Sequence, residues 1–164
     1  MRNVRIINEE EYYRNFGNYN YIVMLTAIRE DHKYMIKVFG NKQFYYEKQV
    51  YHTSRINMTL QSAVKCFSWI YMQENHEYKP RVLLFCDNYN FTKYLHIRHK
   101  KLLGKWANQT KPILDAIVDN FKIELASNKV MNNNIAFDRM RHGIEPITNN
   151  YVRPTVDNPD GFYF

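Results

Sequence analysis

The sequence predicts an α/β fold, a mixed five-stranded sheet with its first three strands antiparallel, flanked by helices. Three observations carry this. Segments 19–28, 33–39 and 44–52 read as strands in series with tight links, which makes an antiparallel meander. Near residue 56 the apolar pattern changes from alternation to a helical period. Then Pro80–Asn90, PRVLLFCDNYN, sets five apolar residues, Val82 to Cys86, directly before a carboxylate, Asp87. A short unbroken apolar run is a strand buried on both faces, as at the centre of an α/β sheet.

Taken in order, Val4, Ile6 and Ile7 can form a short edge strand or lie along the core. YNYIVMLTAI (19–28) is a buried strand, and Arg29–His32 a polar turn. KYMIKVF (33–39) is the second strand, with Gly40-Asn41 as a turn, and the tyrosine-rich Phe44–His52 the third. Ser54 or Asn57 caps a helix whose face is Leu60, Ala63, Val64, Phe67 and Tyr71 and which runs to about Gln73. After the Val82–Cys86 strand, Phe91–His99 is expected as a helix. Pro112 suits the first position of another, with Ile113, Leu114, Ile117, Val118 and Phe121 on its apolar face. Lys122–Ala126 is the fifth strand and Asn128–Asn134 an asparagine-rich loop. Ile135–His142 is a last helix stopped by Gly143. Residues 1–143 thus form one domain, and 144–164, with three prolines and a GFYF end, an extended tail able to dock on a neighbouring subunit.

The 164 residues suffice for a single core. The net charge is +7, which favours a polyanionic partner: nucleic acid or an acidic protein surface. The two cysteines, Cys66 and Cys86, form neither a disulfide framework nor a zinc site, and the six histidines show no metal-ligand spacing. No run approaches a membrane span and the first residues carry no signal-peptide core, so the expected location is cytoplasmic: host cytosol, or virion if the source is viral. Frequent Asn, Lys, Ile and Tyr fit an AT-rich genome such as that of a phage.

Two stretches carry candidate chemistry. Asp87 ends the central strand, where α/β folds place their sites; a carboxylate there can equally cap the following helix. Between Asp87 and Asp115 no acidic residue occurs, while Lys93, Arg98, Lys100, Lys101, Lys105 and Lys111 do. Within this interval Lys100, Lys101, Lys105 and Trp106 are the candidate nucleic-acid contacts, lysines for phosphates and the indole for stacking. Against that stand a solvated basic face and a tryptophan packed inward.

The element order, and four segments in that order, resemble the ribonuclease H-like superfamily. NMTLQSAVKCF (57–67) resembles the start of the family's first helix. FCDNYNFTKYL (85–95) resembles its fourth strand and turn. Lys100–Trp106 resembles the basic loop with which some members grip hybrid duplex, and NNIAFDRMRHG (133–143) the closing segment. The resemblance covers about residues 19–143 and implies a two-magnesium nuclease site of four carboxylates. Asp87 matches the carboxylate after the fourth strand and Asp138 the one in the last helix. The other two positions are not acidic: the first-helix glutamate corresponds to Thr59, and the first-strand aspartate to Leu25 or Thr26. The family's loop histidine corresponds to Asn128 or Lys129. Asp87 and Asp138 are therefore vestigial catalytic and metal-binding candidates. Glu30 or Asp31, just beyond the first strand, could restore a metal site only if the hairpin folded over it.

The resulting expectation is a catalytically degenerate ribonuclease H-like module, a binding or scaffold protein acting on nucleic acid or within a nucleoprotein or virion complex, with no cofactor. The alternative is a metal-dependent nuclease on RNA–DNA hybrid or other nucleic acid, with Mg²⁺ held by Asp87 and Asp138.

Overall fold

In the computed structural model the described residues are 4–40, 42–51 and 53–146. Six strands form one mixed sheet: β1 (Arg5–Ile7), β2 (Tyr21–Ile28), β3 (Lys33–Gly40), β4 (Phe44–Gln49), β5 (Arg81–Cys86) and β6 (Lys122–Ala126), in the order β1-β6-β5-β2-β3-β4. The meander β2-β3-β4 is antiparallel, while β5 runs parallel to β2, β6 to β5 and β1 to β6. The expected count of five strands is thus corrected to six. The extra one is the Val4–Ile7 region, whose registers Arg5 to Glu124 and Ile7 to Ala126 add it as an outer edge.

Helices cover both faces. On one side lie α2 (Arg55–Gln73), α3 (Tyr89–Ile97) and α4 (Ala107–Asn120), packed over Val23, Leu25, Val82, Leu84 and Leu125. On the other lie α1 (Glu9–Asn15), α5 (Asn128–Asn132) and α6 (Ile135–Arg141), over Ile22, Met24, Leu83 and Phe85. Strand β5 therefore sends alternate side chains into two cores, and Val82 to Cys86 are all buried. That double burial explains its unbroken apolar run.

Local sequence sets the helix ends. Ser54 caps α2, its hydroxyl accepting from the Asn57 N–H, and Asn134 caps α6 by accepting from Phe137. The α3 cap is Asn88, which accepts from the Phe91 N–H; Asp87 is thereby not the cap and keeps its carboxylate for other contacts. Gly143 ends α6 at φ +79°, with its N–H on the Met140 carbonyl and that of Ile144 on Arg139.

Three boundaries differ from expectation. The asparagine-rich 128–134 stretch contains the short helix α5, because Ser127 caps it by accepting from the Val130 N–H and Val130 and Met131 bury against the second core. Pro112 lies inside α4, not at its start. A 3-10 segment, Lys100–Trp106, feeds directly into the helix, and both Pro112 and Asn108, whose carbonyl loses the proline's hydrogen bond, are exposed to water. Finally, β4 ends at Gln49. The tail expected over 144–164 lies outside the described residues beyond Pro146.

Candidate functional site

Parallel strands β2 and β5 pair Leu25 with Cys86, so Thr26 and Asp87 emerge side by side at the C-terminal edge of the sheet. The Thr26 hydroxyl, on a residue 2% exposed, lies 3.3 Å from both carboxylate oxygens of Asp87. The first residue of α2 completes the group. Arg55 donates through Nε to the Ala27 carbonyl at 3.0 Å and through a terminal nitrogen to Asp87 at 3.3 Å. Thr59, one turn along α2, is buried and returns its hydroxyl to the Arg55 carbonyl at 2.9 Å.

This arrangement has a definite electrostatic character. Asp87 is 17% exposed and Arg55 44% exposed, so the carboxylate is held in a partly dry recess by a cation that still touches water. Burial pushes the Asp87 carboxyl above its ordinary value; Arg55, then Arg141, and the Thr26 hydrogen bond pull the other way. The anion is paired with the protein's own guanidinium, and the buried residues beside the pair, Thr26 and Thr59, carry hydroxyls and no charge.

Asp138 is placed in the first turn of α6 with its side chain 56% exposed, and its partners are on its own helix: Arg141 at 3.7 Å and His142 at 3.9 Å. Glu30 and Asp31 are exposed in the turn between β2 and β3. Among the described residues no group of three or more His, Cys, Asp or Glu side chains is placed to hold a metal ion. Magnesium needs hard oxygen ligands, mostly carboxylates and waters. The residues around Asp87 do not fit a two-magnesium centre, since a fixed guanidinium stands against its one carboxylate.

The basic segment does adjoin this recess. Lys100, Lys101 and Lys105 fall on the 3-10 segment between α3 and α4, with Lys101 and Lys105 exposed. Trp106 is half-buried against the first core, donates from Nε1 to the Ser54 hydroxyl at 3.3 Å, and carries Lys105 over its ring at 5.0 Å. The indole thus packs partly inward, with Lys105 over one ring face. Because Ser54 precedes Arg55, Trp106, Arg55 and Asp87 form one connected line along the sheet edge.

Sequence reasoning missed Arg55. A signal was present: α2 has no acidic residue in its first turn and opens on an arginine. A cation at a helix N-terminus opposes the helix dipole unless an anion stands nearby. Among the described residues no helix is long and apolar enough to cross a membrane. No protein-family model matches the chain, and no curated protein matches its sequence.

Proposed function

We propose that the chain is a ribonuclease H-like module that has exchanged metal-ion chemistry for binding, and that its ligand is nucleic acid. The fold part of this reading is supported by the run β2-β3-β4-α2-β5-α3-α4-β6-α6, with three antiparallel strands followed by two parallel ones, to which β1, α1 and α5 are additions. The observation that carries the loss of catalysis is the Arg55–Asp87 contact at 3.3 Å, flanked by Thr26 and Thr59 in place of carboxylates. A magnesium pair activates water and stabilises a leaving oxygen; an arginine salt-bridged to aspartate does neither. What remains is a positive edge: Arg55, Lys101 and Lys105 exposed around a half-buried indole, on a chain of net charge +7.

Two measurements test this. With Mg²⁺ or Mn²⁺, an RNA–DNA hybrid stays intact; divalent-dependent turnover that vanishes in Asp87→Asn would instead establish a nuclease. In fluorescence anisotropy, affinity for duplex falls with salt at a log–log slope of about −2.7 for three lysine–phosphate contacts, and about −2 on a single strand. Replacing Lys100, Lys101 and Lys105 together by alanine flattens that slope. Absence of binding to duplex, hybrid and single strand at low salt refutes the nucleic-acid part and leaves the basic edge to an acidic protein.

A further inference from the structure

A pocket of about 660 Å³ opens beside Asp87 at the C-terminal ends of β5, β6 and β1. Its apolar lining comes from Ile6, Leu125, Ala126 and Met131. One side is α3, which presents Tyr89, Lys93 and His96 at intervals of four and three residues, a single helical face. Lys93 Nζ sits 5.2 Å from the centre of the Tyr89 ring, and that tyrosine is 68% exposed at the rim. His96 is anchored by Nδ1, which donates to the Val4 carbonyl at 2.7 Å, so its ring orientation is set by the residue just before β1. Asp87 both meets Arg55 and lines this pocket, which joins the cavity to the line Asp87–Arg55–Ser54–Trp106.

We infer that this pocket takes a single nucleotide, its base on the apolar lining and Tyr89, its phosphate at Lys93, and its hydroxyl or amino donors toward Asp87 and the accepting Nε2 of His96. The volume falls in the ordinary range for a small-ligand site, roughly 300–1,000 Å³. The chemistry argues against a bare anion: a carboxylate lining the same pocket as the lysine repels one, whereas a ligand carrying both a negative group and N–H or O–H donors satisfies both. It argues against a purely apolar ligand too, since that would strip water from Lys93 and Asp87 without replacing it. An exposed aromatic with a lysine over it is a stacking platform of the kind that receives one base from a strand. The choice of a nucleotide rests on the nucleic-acid reading above, because Arg55 of the basic edge contacts Asp87 of the pocket lining.

The test is an amide ¹H–¹⁵N titration of the full chain with adenosine 5′-monophosphate, adenosine and inorganic phosphate in parallel, and with a short thymidine oligonucleotide. The monophosphate is expected to move the amides of Tyr89–His96 and Leu125–Asn128, and to bind several-fold tighter than either fragment. Lys93→Ala, at a partly exposed position on the pocket wall, should weaken it about tenfold, the loss of one charge-assisted contact, with Lys93→Arg retaining most of the affinity. Monophosphate that leaves these amides unmoved, or binds no better than phosphate, overturns the inference. An oligonucleotide that binds while the pocket amides stay silent and Lys93→Ala is neutral overturns it too, and leaves the nucleic-acid reading standing. Monophosphate in the pocket without oligonucleotide binding sustains the inference and defeats that reading.

Discussion

Replacing Arg81 by methionine is expected to destabilise the fold by about 3 kcal/mol at neutral pH. Arg81 opens β5 and reaches Glu124 on β6, with Nε donating to Oε1 at 2.8 Å and a terminal nitrogen to the same oxygen at 2.5 Å. The Tyr19 hydroxyl donates to Oε2 at 3.3 Å, and the guanidinium lies 4.9 Å from the Tyr19 ring centre. The Glu124 side chain is 11% exposed and that of Arg81 30%. Removing one partner of a buried pair costs roughly 3–5 kcal/mol, because the remaining charge is stranded. Methionine keeps the stem packing, and water reaches the partly exposed arginine site, so the lower end applies. Urea unfolding of wild type, Arg81→Met and Arg81→Met/Glu124→Leu measures the effect, and the double variant should recover at least half of the loss. A loss below about 1 kcal/mol at neutral pH, or a double variant no more stable than Arg81→Met, would refute the account. Because this pair lies at the opposite end of β5 from Asp87, nucleotide binding should be unchanged in Arg81→Met.

Further outcomes follow from other named contacts. Asp87 has its carboxyl raised by burial, so its contribution to stability is full below the unfolded carboxylate value and is lost as pH rises through the folded one. Asp87→Asn therefore gains on wild type as pH rises above the unfolded carboxylate value in urea melts; a variant that loses ground as pH rises contradicts the burial argument. The Cys86 thiol is pushed up to about 12 and Cys66 is raised as well, both by complete burial. Neither should react with a thiol reagent such as dithionitrobenzoate in the folded protein, and rapid labelling without denaturant would show the packing to be wrong. Gly40 faces Tyr21, and a Cβ there would lie 2.7 Å from the Tyr21 ring and 2.8 Å from the Asn20 carbonyl. Gly40→Ala should cost roughly 1–3 kcal/mol and lower the melting temperature; an unchanged melt would mean that the β2–β3 edge yields freely.

The strongly periodic parts of the fold were legible in the residues. Strand β5 is readable because double burial leaves no polar residue between Val82 and Cys86, and α2 because its apolar face recurs over nineteen residues. The three-residue β1 and five-residue α5 are too short to show a period, and only their flanking signals give them away: Asn8 before three glutamates, and Ser127 three residues before Val130. That shortness hid the pocket as well, since β1 supplies Ile6 and α5 supplies Met131 to its lining. At the Asp87 recess, the resemblance drew attention to Thr59 and to Leu25 or Thr26 as non-acidic positions. It left the replacement cation unseen, because Arg55 meets Asp87 only through the parallel pairing of β2 with β5 and the entry angle of α2.

The sixth strand has a kinetic consequence. Its residues are among the first in the chain, yet their hydrogen-bonding partners, Glu124 to Ala126, stand near the far end of the domain. Closing such a long loop comes late in folding, and on a ribosome it must wait until β6 has left the exit tunnel. Only three residues hold that edge, helped by the Ser127 N–H on the Ile7 carbonyl. It is consequently the part of the sheet most ready to peel away and exchange its amide protons while the rest stays closed. Since Ile6 lines the cavity and the Val4 carbonyl orients His96, every such opening would dismantle one wall of the pocket, and a bound nucleotide should slow the exchange of Ile7 and Ser127 before that of any residue in β2 or β5.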